Sequence, residues 1–329
     1  MKEDLLQILR EPDTGAALEL AVSESRDGEF WGGKLRSVAT GKEYPIRAGI
    51  PRFVPTDDYT TSFGLQWNRF SQVQLDSVNR GRYSHRRFAQ EVGWTENQLN
   101  DQWVLDGGCG SGRFAEIAAE LGGRIIAFDY SSAVDAAAFN LRAHRNVHYV
   151  QGDLLHPPIE ARSLPFAYSI GVLHHTPDPG AALASLLDLL RPGAAFAVTI
   201  YGKRWYTPLF SKYLVRPVTR RMPPELLLRA VEISMPVLFP LTSMLFRAPV
   251  VGRVAQFAIP VANYVDKTDF TPAQRYQEAI LDTFDMLAPA FDLPMTPAQV
   301  ESALKKVGIH DFCFRTTTPI NVTGTAPSA

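Results

Sequence analysis

The stretch that most limits what this chain can fold into is Val104-Leu105-Asp106-Gly107-Gly108-Cys109-Gly110-Ser111-Gly112-Arg113, read together with Asp129. Trp103, Val104 and Leu105 favour a strand, the glycine cluster forces a tight turn, and Phe114, Ile117, Ala118 and Leu121 recur at helical spacing. Strand, turn and helix therefore follow without a linker. Glycine lets a backbone pass close beneath a ligand, and the helix start behind it offers free N–H groups. The next apolar run, Ile125-Ile126-Ala127-Phe128, ends on Asp129, a little over twenty residues beyond Asp106. A carboxylate at that point is placed to accept hydrogen bonds from both hydroxyls of a ribose.

The glycine spacing separates two kinds of nucleotide ligand. A dinucleotide site usually reads Gly-x-Gly-x-x-Gly, whereas this chain reads Gly108-x-Gly110-x-Gly112. Asp106 at the strand end would repel a pyrophosphate but attract an ammonium. In these residues the stretch resembles the first motif of class I S-adenosylmethionine (SAM) methyltransferases, which runs Val-Leu-Asp-x-Gly-Cys-Gly-x-Gly. The resemblance implies an α/β fold, a Rossmann-like and mostly parallel sheet with an antiparallel C-terminal strand. It also implies SAM as the cofactor and methyl transfer as the reaction. The cofactor contacts it implies are Asp106, Gly107, Gly108, Gly110, Gly112, Arg113, Asp129, Tyr130 and Ser131, with Asp106 near the methionine ammonium and Asp129 on the ribose.

Downstream, strands and helices alternate from Gln102 to about Gly202, which predicts parallel strands with crossover helices. Ser132 and Asp135 form a capping-box-like helix start. The strand Val147–Val150 leads to Asp153 and Leu154, at the strand ends where open α/β sheets bind ligands, and the resemblance gives Asp153 the adenine amino group. Phe166–Pro179 matches the fourth-strand motif of the same family, where Gly171 would let the methionine end approach the backbone. His174 and His175 follow. Neighbours on a strand point to opposite sides, so one of them at most faces the reacting methyl group as a general base, and a structural role is equally open. Asp285 is the third base candidate. It lies in Leu281-Asp282-Thr283-Phe284-Asp285, which resembles a segment of methyltransferases of cell-surface sugar and secondary-metabolite pathways.

Five regions are expected. Residues 1–56, punctuated by glycines and closed by Pro51 and Pro55, read as a small separate β-rich unit. It resembles the zinc-ribbon-like domain that accompanies several SAM methyltransferases, but Glu11 with Thr14 and Ser37 with Thr40 stand where that family often has Cys-x-x-Cys pairs. Neutral hydroxyls are poor zinc ligands, so no zinc and no other metal is expected. Residues 57–100 read as a helical lead-in and cofactor lid, with Phe63, Trp67, Arg86 and Arg87 as its contacts. The core spans 101–202, a helical acceptor-side insertion 203–295, and a final helix and strand hairpin 296–329.

The 329 residues, 46% of them hydrophobic, suffice for a large core, and the formal net charge of −1 gives no reason to expect a nucleic-acid partner. Two cysteines exclude a disulfide framework, and the start of the chain lacks a secretory pattern, so a cytoplasmic protein is expected. Prolines 236, 240, 249 and 260 break the most apolar region and argue against a membrane span. Residues 203–259 nonetheless hold nine Lys or Arg against Glu225 and Glu232, among many apolar residues. That pattern suits peripheral membrane contact or the cover of a greasy acceptor, while charge runs are more often simply solvated. The expected partner is thus a small-molecule acceptor: a sugar, a lipid-linked molecule or a secondary-metabolite intermediate. Two rivals are a non-catalytic SAM-binding or activator protein and an NAD-dependent oxidoreductase. Acceptor identity and oligomeric state are not written in these motifs.

Overall fold

The computed structural model describes residues 1–55, 59–79, 81–267 and 269–328; the expected boundary at 56 and 57 lies outside them. Its centre is a seven-stranded sheet built from β5 (Trp103–Gly107), β6 (Arg124–Asp129), β7 (Val147–Gln151), β8 (Leu164–Ile170), β9 (Leu190–Ile200), β10 (Phe312–Thr317) and β11 (Ile320–Thr325). The strand order is β10-β11-β9-β8-β5-β6-β7, and only β11 runs antiparallel to its neighbours. Val104, Leu105, Ile125, Ile126 and Phe128 are fully buried, as continuous apolar runs must be when helices cover both faces. Those crossovers are α5 (Arg113–Glu120), α6 (Ala133–Asn140) and α7 (Pro179–Asp188). The chain moves outward from β5 to β7 and then returns to place β8 on the other side of β5. That reversal opens a crevice at the carboxyl ends of β5 and β8.

The N-terminal part comprises α1 (Glu3–Ile8) and the antiparallel sheet of β1 (Leu18–Arg26), β2 (Glu29–Ser37), β3 (Glu43–Arg47) and β4 (Ile50–Pro51). It is less separate than expected. Leu5, Leu9, Leu35 and Ile46 share one hydrophobic cluster with Ile126, Phe128 and Val150 of the large sheet. Arg52 ties the two further, to Gln151 at 2.7 Å and Asp135 at 2.6 Å. Asp135 is thus spent on Arg52, and Ser132 makes no side-chain cap; Ser131 Oγ accepts from the Ala133 N–H instead. Glu11, Thr14, Ser37 and Thr40 converge. Glu11 is buried and accepts from Thr14 and from Thr40, the latter at 2.7 Å, while Ser37 Oγ accepts from the Ala39 and Thr40 N–H groups at 3.2 Å.

The lead-in folds as α2 (Thr61–Arg69), α3 (Tyr83–Glu91) and α4 (Glu96–Leu99), and the insertion as α8 (Ser211–Thr219), α9 (Pro224–Leu245), α10 (Val251–Ala258) and α11 (Pro272–Leu287). The C-terminal helix α12 (Pro297–Lys306) precedes the β10–β11 hairpin. Pro236 and Pro240 do not end α9, contrary to expectation. Each proline removes one backbone hydrogen bond, and the packing of Leu227, Leu228, Val231 and Met235 against Ile280, Phe284 and Leu287 of α11 offsets that loss. By length and composition α9 could cross a bilayer, yet this inner face is held by protein. Phe70 joins the same cluster, so the lead-in and the insertion form one cap over the crevice.

Candidate active site

The crevice holds a cavity of about 810 Å³. One wall is the β5–α5 turn. Gly108 and Gly110 have φ of +91° and +53°, and a Cβ on Gly108 would lie 2.4 Å from both γ-carbons of Val172. The turn is therefore restricted to glycine by both conformation and space. Asp129, at the tip of β6, closes it: Oδ2 accepts from the Gly110 N–H at 2.9 Å, and Oδ1 accepts from the N–H and Oγ of Ser131 at 2.8 and 2.7 Å. A carboxylate offers about four acceptor positions, so about one is left for a ligand rather than two. Burial raises the Asp129 pKa, against the pull of these donors.

Of the residues expected to hold a cofactor, Gly108, Gly110, Arg113, Asp129, Tyr130, Leu154 and Gly171 line the cavity. The other five stand behind the wall. Gly107 packs under Leu186, Gly112 against Leu141, Ser131 positions Asp129, and Asp153 accepts from the Leu155 N–H at 2.8 Å. Asp106 is buried, and burial pushes its carboxyl up to about 8, offset only in part by Tyr168 and the Ala115 N–H. Its Oδ2 has no hydrogen-bond partner.

The histidines differ from the strand reading. β8 ends at Ile170, and residues 173–175 form a 3-10 turn, which brings the two rings to one side with centroids 4.2 Å apart. His174 is buried outside the cavity lining. Its Nδ1 accepts from the Tyr201 N–H at 3.3 Å, its ring stacks on Tyr201 at 3.7 Å, and burial holds its pKa well below the usual histidine value. His175 lines the cavity. Its Nδ1 lies 3.0 Å from the Phe291 carbonyl oxygen, which can only accept, so Nδ1 carries the proton and Nε2 is the acceptor.

The facing wall comes from the lid and the insertion. Phe63, Trp67 and Arg87 line it as expected, whereas Arg86 lies on the surface paired with Asp269. Asp285 is present, and accepts from Gln66 Nε2 at 3.0 Å. Glu278 and Asp282 join it from the same face of α11, at helical spacings that were visible in the sequence but not assigned a role. Burial pushes Asp282 up to about 7, reinforced by Glu278, while Tyr264 donates to it. Lys212 pairs with Asp292 at 2.7 Å, and Lys267 lies over Tyr264 at 3.6 Å. Among the described lining residues, six carboxylates (Asp129, Asp266, Glu278, Asp282, Asp285 and Asp292) outnumber the four cations Arg87, Arg113, Lys212 and Lys267. No group of three or more His, Cys, Asp or Glu among the described residues is arranged to hold a metal ion.

This region is also similar to known proteins. Residues 105–198, from within β5 into β9, match the family model described as a methyltransferase domain. The chain is 35% identical over 91 residues to a malonyl-[acyl-carrier protein] O-methyltransferase of Serratia marcescens, covering 27% of this chain and 34% of that one. It is 31% identical over 136 residues to a ubiquinone biosynthesis O-methyltransferase of Dinoroseobacter shibae, covering 38% of this chain and 52% of that one. The chain therefore spans between a third and about half of these relatives' lengths. A solved SAM-dependent methyltransferase from Methanosarcina mazei superposes with a TM-score of 0.41 at 16% identity over 71% of this chain and 96% of that one, too distant to bear on the site. The matched residues stop short of the insertion, so neither the wall formed by the lid and insertion nor the N-terminal sheet is covered by the match.

Proposed function

We propose that the protein transfers a methyl group from SAM to a hydroxyl-bearing small molecule held between the glycine turn and the insertion. One observation carries the reading: the glycine turn, Asp129 and His175 line a single cavity that is large enough for a nucleoside and a second molecule. The residues present suit this cofactor. Gly108 and Gly110 line the cavity with their backbone, and Asp129 keeps an acceptor position for a ribose hydroxyl. The excess of lining carboxylates favours a cationic sulfonium over a pyrophosphate, which argues against the dinucleotide reading.

SAM supplies, when bound, a methyl group already activated by the sulfonium charge. The protein then has to align, exclude water and manage one proton. Phe63 and Trp67 cover the glycine turn, and a Cβ on Gly110 would lie 3.2 Å from the Trp67 ring. His175 Nε2 takes the acceptor proton, its ring held by the Nδ1–H bond to the Phe291 carbonyl. Tyr201, Phe210, Tyr213 and Tyr264 give the acceptor an apolar bed, and Asp285 accepts one of its donors. A sugar, a lipid-linked molecule or a secondary-metabolite intermediate each fits that description.

Cell extract incubated with the protein and isotopically labelled SAM should yield a labelled small molecule. His175→Ala should lower turnover by about 10²- to 10⁴-fold with SAM affinity unchanged, because the general base is removed and the cofactor wall is not. Tight NAD binding without SAM binding refutes the cofactor, and full activity of His175→Ala refutes the base.

A further inference from the structure

The insertion carries an apolar surface that none of the described residues covers. On α9, Leu226, Ile233, Val237, Leu241 and Met244 recur at intervals of seven, four, four and three residues, which places all five on one stripe. Leu227, Leu228, Val231 and Met235, the residues packed on α11, occupy the opposite side of the helix. Both sides are therefore apolar, and only one is buried. Ile233 and Val237 are each 69% exposed. The neighbouring helices continue the pattern, with Leu214 at 72% and Val218 beside it on α8, and with Val250 at 76% and Val254 at the start and middle of α10. Scattered exposed apolar residues are ordinary, but three successive helices each carrying a set of them mark an interaction surface.

Charge says what the partner is. Of the nine Lys and Arg between residues 203 and 259, Lys212 pairs with Asp292, and Arg216 is buried with its guanidinium donating to the Met286 and Pro289 carbonyls. The other seven are exposed. Arg229 stands along one edge of the α9 stripe, Arg247 follows the end of that helix, and Arg253 lies within α10. Glu225 and Glu232 are the only acids of this segment, and Glu232 is engaged by Arg69 at 3.3 Å. We infer that α8, α9 and α10 form a docking surface for an anionic lipid bilayer, lying in the headgroup region with the apolar side chains inserted and the cations on the lipid phosphates. A second copy of this chain is a poorer occupant, because a two-fold interface would set the same cations against one another.

The surface is also the back of the cavity. Phe210, Tyr213 and Gln256 line the cavity, and Leu209, Leu214 and Val254, each within two residues of one of them, point outward. Phe210 and Phe257 lie 4.6 Å apart and join the α8 and α10 sides of this wall. A molecule that leaves the bilayer here meets the acceptor end of the cavity directly. The docking itself does not rest on the proposed reaction, since vesicles supply neither cofactor nor acceptor.

The test is sedimentation of the full chain with vesicles of phosphatidylcholine alone and of equal parts phosphatidylcholine and phosphatidylglycerol, at low and high salt. The protein should pellet with the anionic vesicles, remain in solution with the neutral ones, and be released by salt. Arg220→Gln with Arg221→Gln should weaken binding by about thirtyfold, at about one kcal/mol per basic residue near an anionic surface. Ile233→Ser with Val237→Ser should weaken it by roughly a hundredfold through lost CH₂ burial. Both double variants should melt at the wild-type temperature, since all four side chains are exposed. Wild-type protein that stays in solution with anionic vesicles at low salt overturns the inference, as does binding that neither double variant alters. A dimer that Ile233→Ser with Val237→Ser splits, with vesicle binding unchanged, assigns the face to a second copy and overturns it too.

Discussion

Gly108→Ala is the substitution whose cost follows most directly from the geometry. At φ +91° an alanine occupies a left-handed conformation that costs about 1–2 kcal/mol for an L-residue. Its Cβ would also lie 2.4 Å from both γ-carbons of Val172 and 2.8 Å from its Cβ. Val172 is β-branched, so no rotamer takes both methyl groups away, and the backbone has to move. Overpacking of this kind costs about 1–3 kcal/mol, which brings the expected loss of stability to roughly 2–5 kcal/mol. The two contributions can be separated in part. Val172→Ala in the Gly108→Ala background removes the two 2.4 Å contacts but keeps the 2.8 Å contact to Cβ, so it should recover part of the steric cost and none of the conformational cost, which urea unfolding of the single and double variants measures. The turn should also drift into the space beneath a bound nucleoside, so SAM affinity should fall with stability in the single variant and return partly in the double. A Gly108→Ala protein within about 0.5 kcal/mol of wild type would mean that the left-handed, close-packed turn is not what the glycine is for.

Other outcomes follow from the same site. Asp129→Ala should weaken SAM binding roughly ten- to a hundredfold, since losing a charged acceptor costs about 1.5–3 kcal/mol; unchanged affinity by calorimetry would remove Asp129 from the ribose. Asp282, whose carboxyl is raised to about 7, holds a proton in the folded state that the unfolded chain has already lost, so its contribution to stability is present at acid pH and declines as pH rises toward 7. Asp282→Asn should therefore lose less stability than wild type between about pH 4 and about pH 7, and parallel curves would contradict the assignment. Glu11→Gln should loosen the N-terminal knuckles, because Thr14 and Thr40 both donate to this carboxylate. Protein purified without chelator should contain no zinc by elemental analysis, and one tightly held equivalent would refute the metal-free reading.

Legibility in the sequence followed the range of the interactions. β5, its glycine turn and β6 could be read because parallel strands buried on both faces are continuous apolar runs, and the residues that shape the turn are contiguous. Glu11, Thr14, Ser37 and Thr40 could be grouped only through resemblance, since two knuckles 26 residues apart, Glu11 to Ser37, announce no contact of their own. The prolines of α9 misled because proline's local cost was weighed without the α11 packing that offsets it. His174 and His175 misled for a similar reason: the strand pattern of Phe166–Ile170 stops short of them, and three residues of 3-10 turn reverse the expected divergence of their rings. The acceptor wall was the least legible part. Gln66 meets Asp285 and Gln74 meets Glu278 across about two hundred residues, and no periodicity within either segment encodes that meeting.

Those long-range pairs also tie the two walls of the cavity together. Arg113, the first residue of the helix behind the glycine turn, donates from Nη1 to Gln74 Oε1 at 2.7 Å, and Gln74 Nε2 donates to Glu278 Oε2 at 2.9 Å. Both ends of the amide are used, so turning it over would set its NH₂ against the guanidinium and its oxygen against the carboxylate. Its orientation is fixed by its partners. Arg113 is itself buried and anchored by Ser84 Oγ at 2.9 Å, so it cannot follow Gln74 outward without losing a second bond. A group that binds Glu278 from the acceptor side therefore pulls on the same chain of hydrogen bonds that ends at the N-terminus of α5. The glycine-turn wall and the wall of the lid and insertion, far apart in sequence and only the first within the matched residues 105–198, are joined through Gln74.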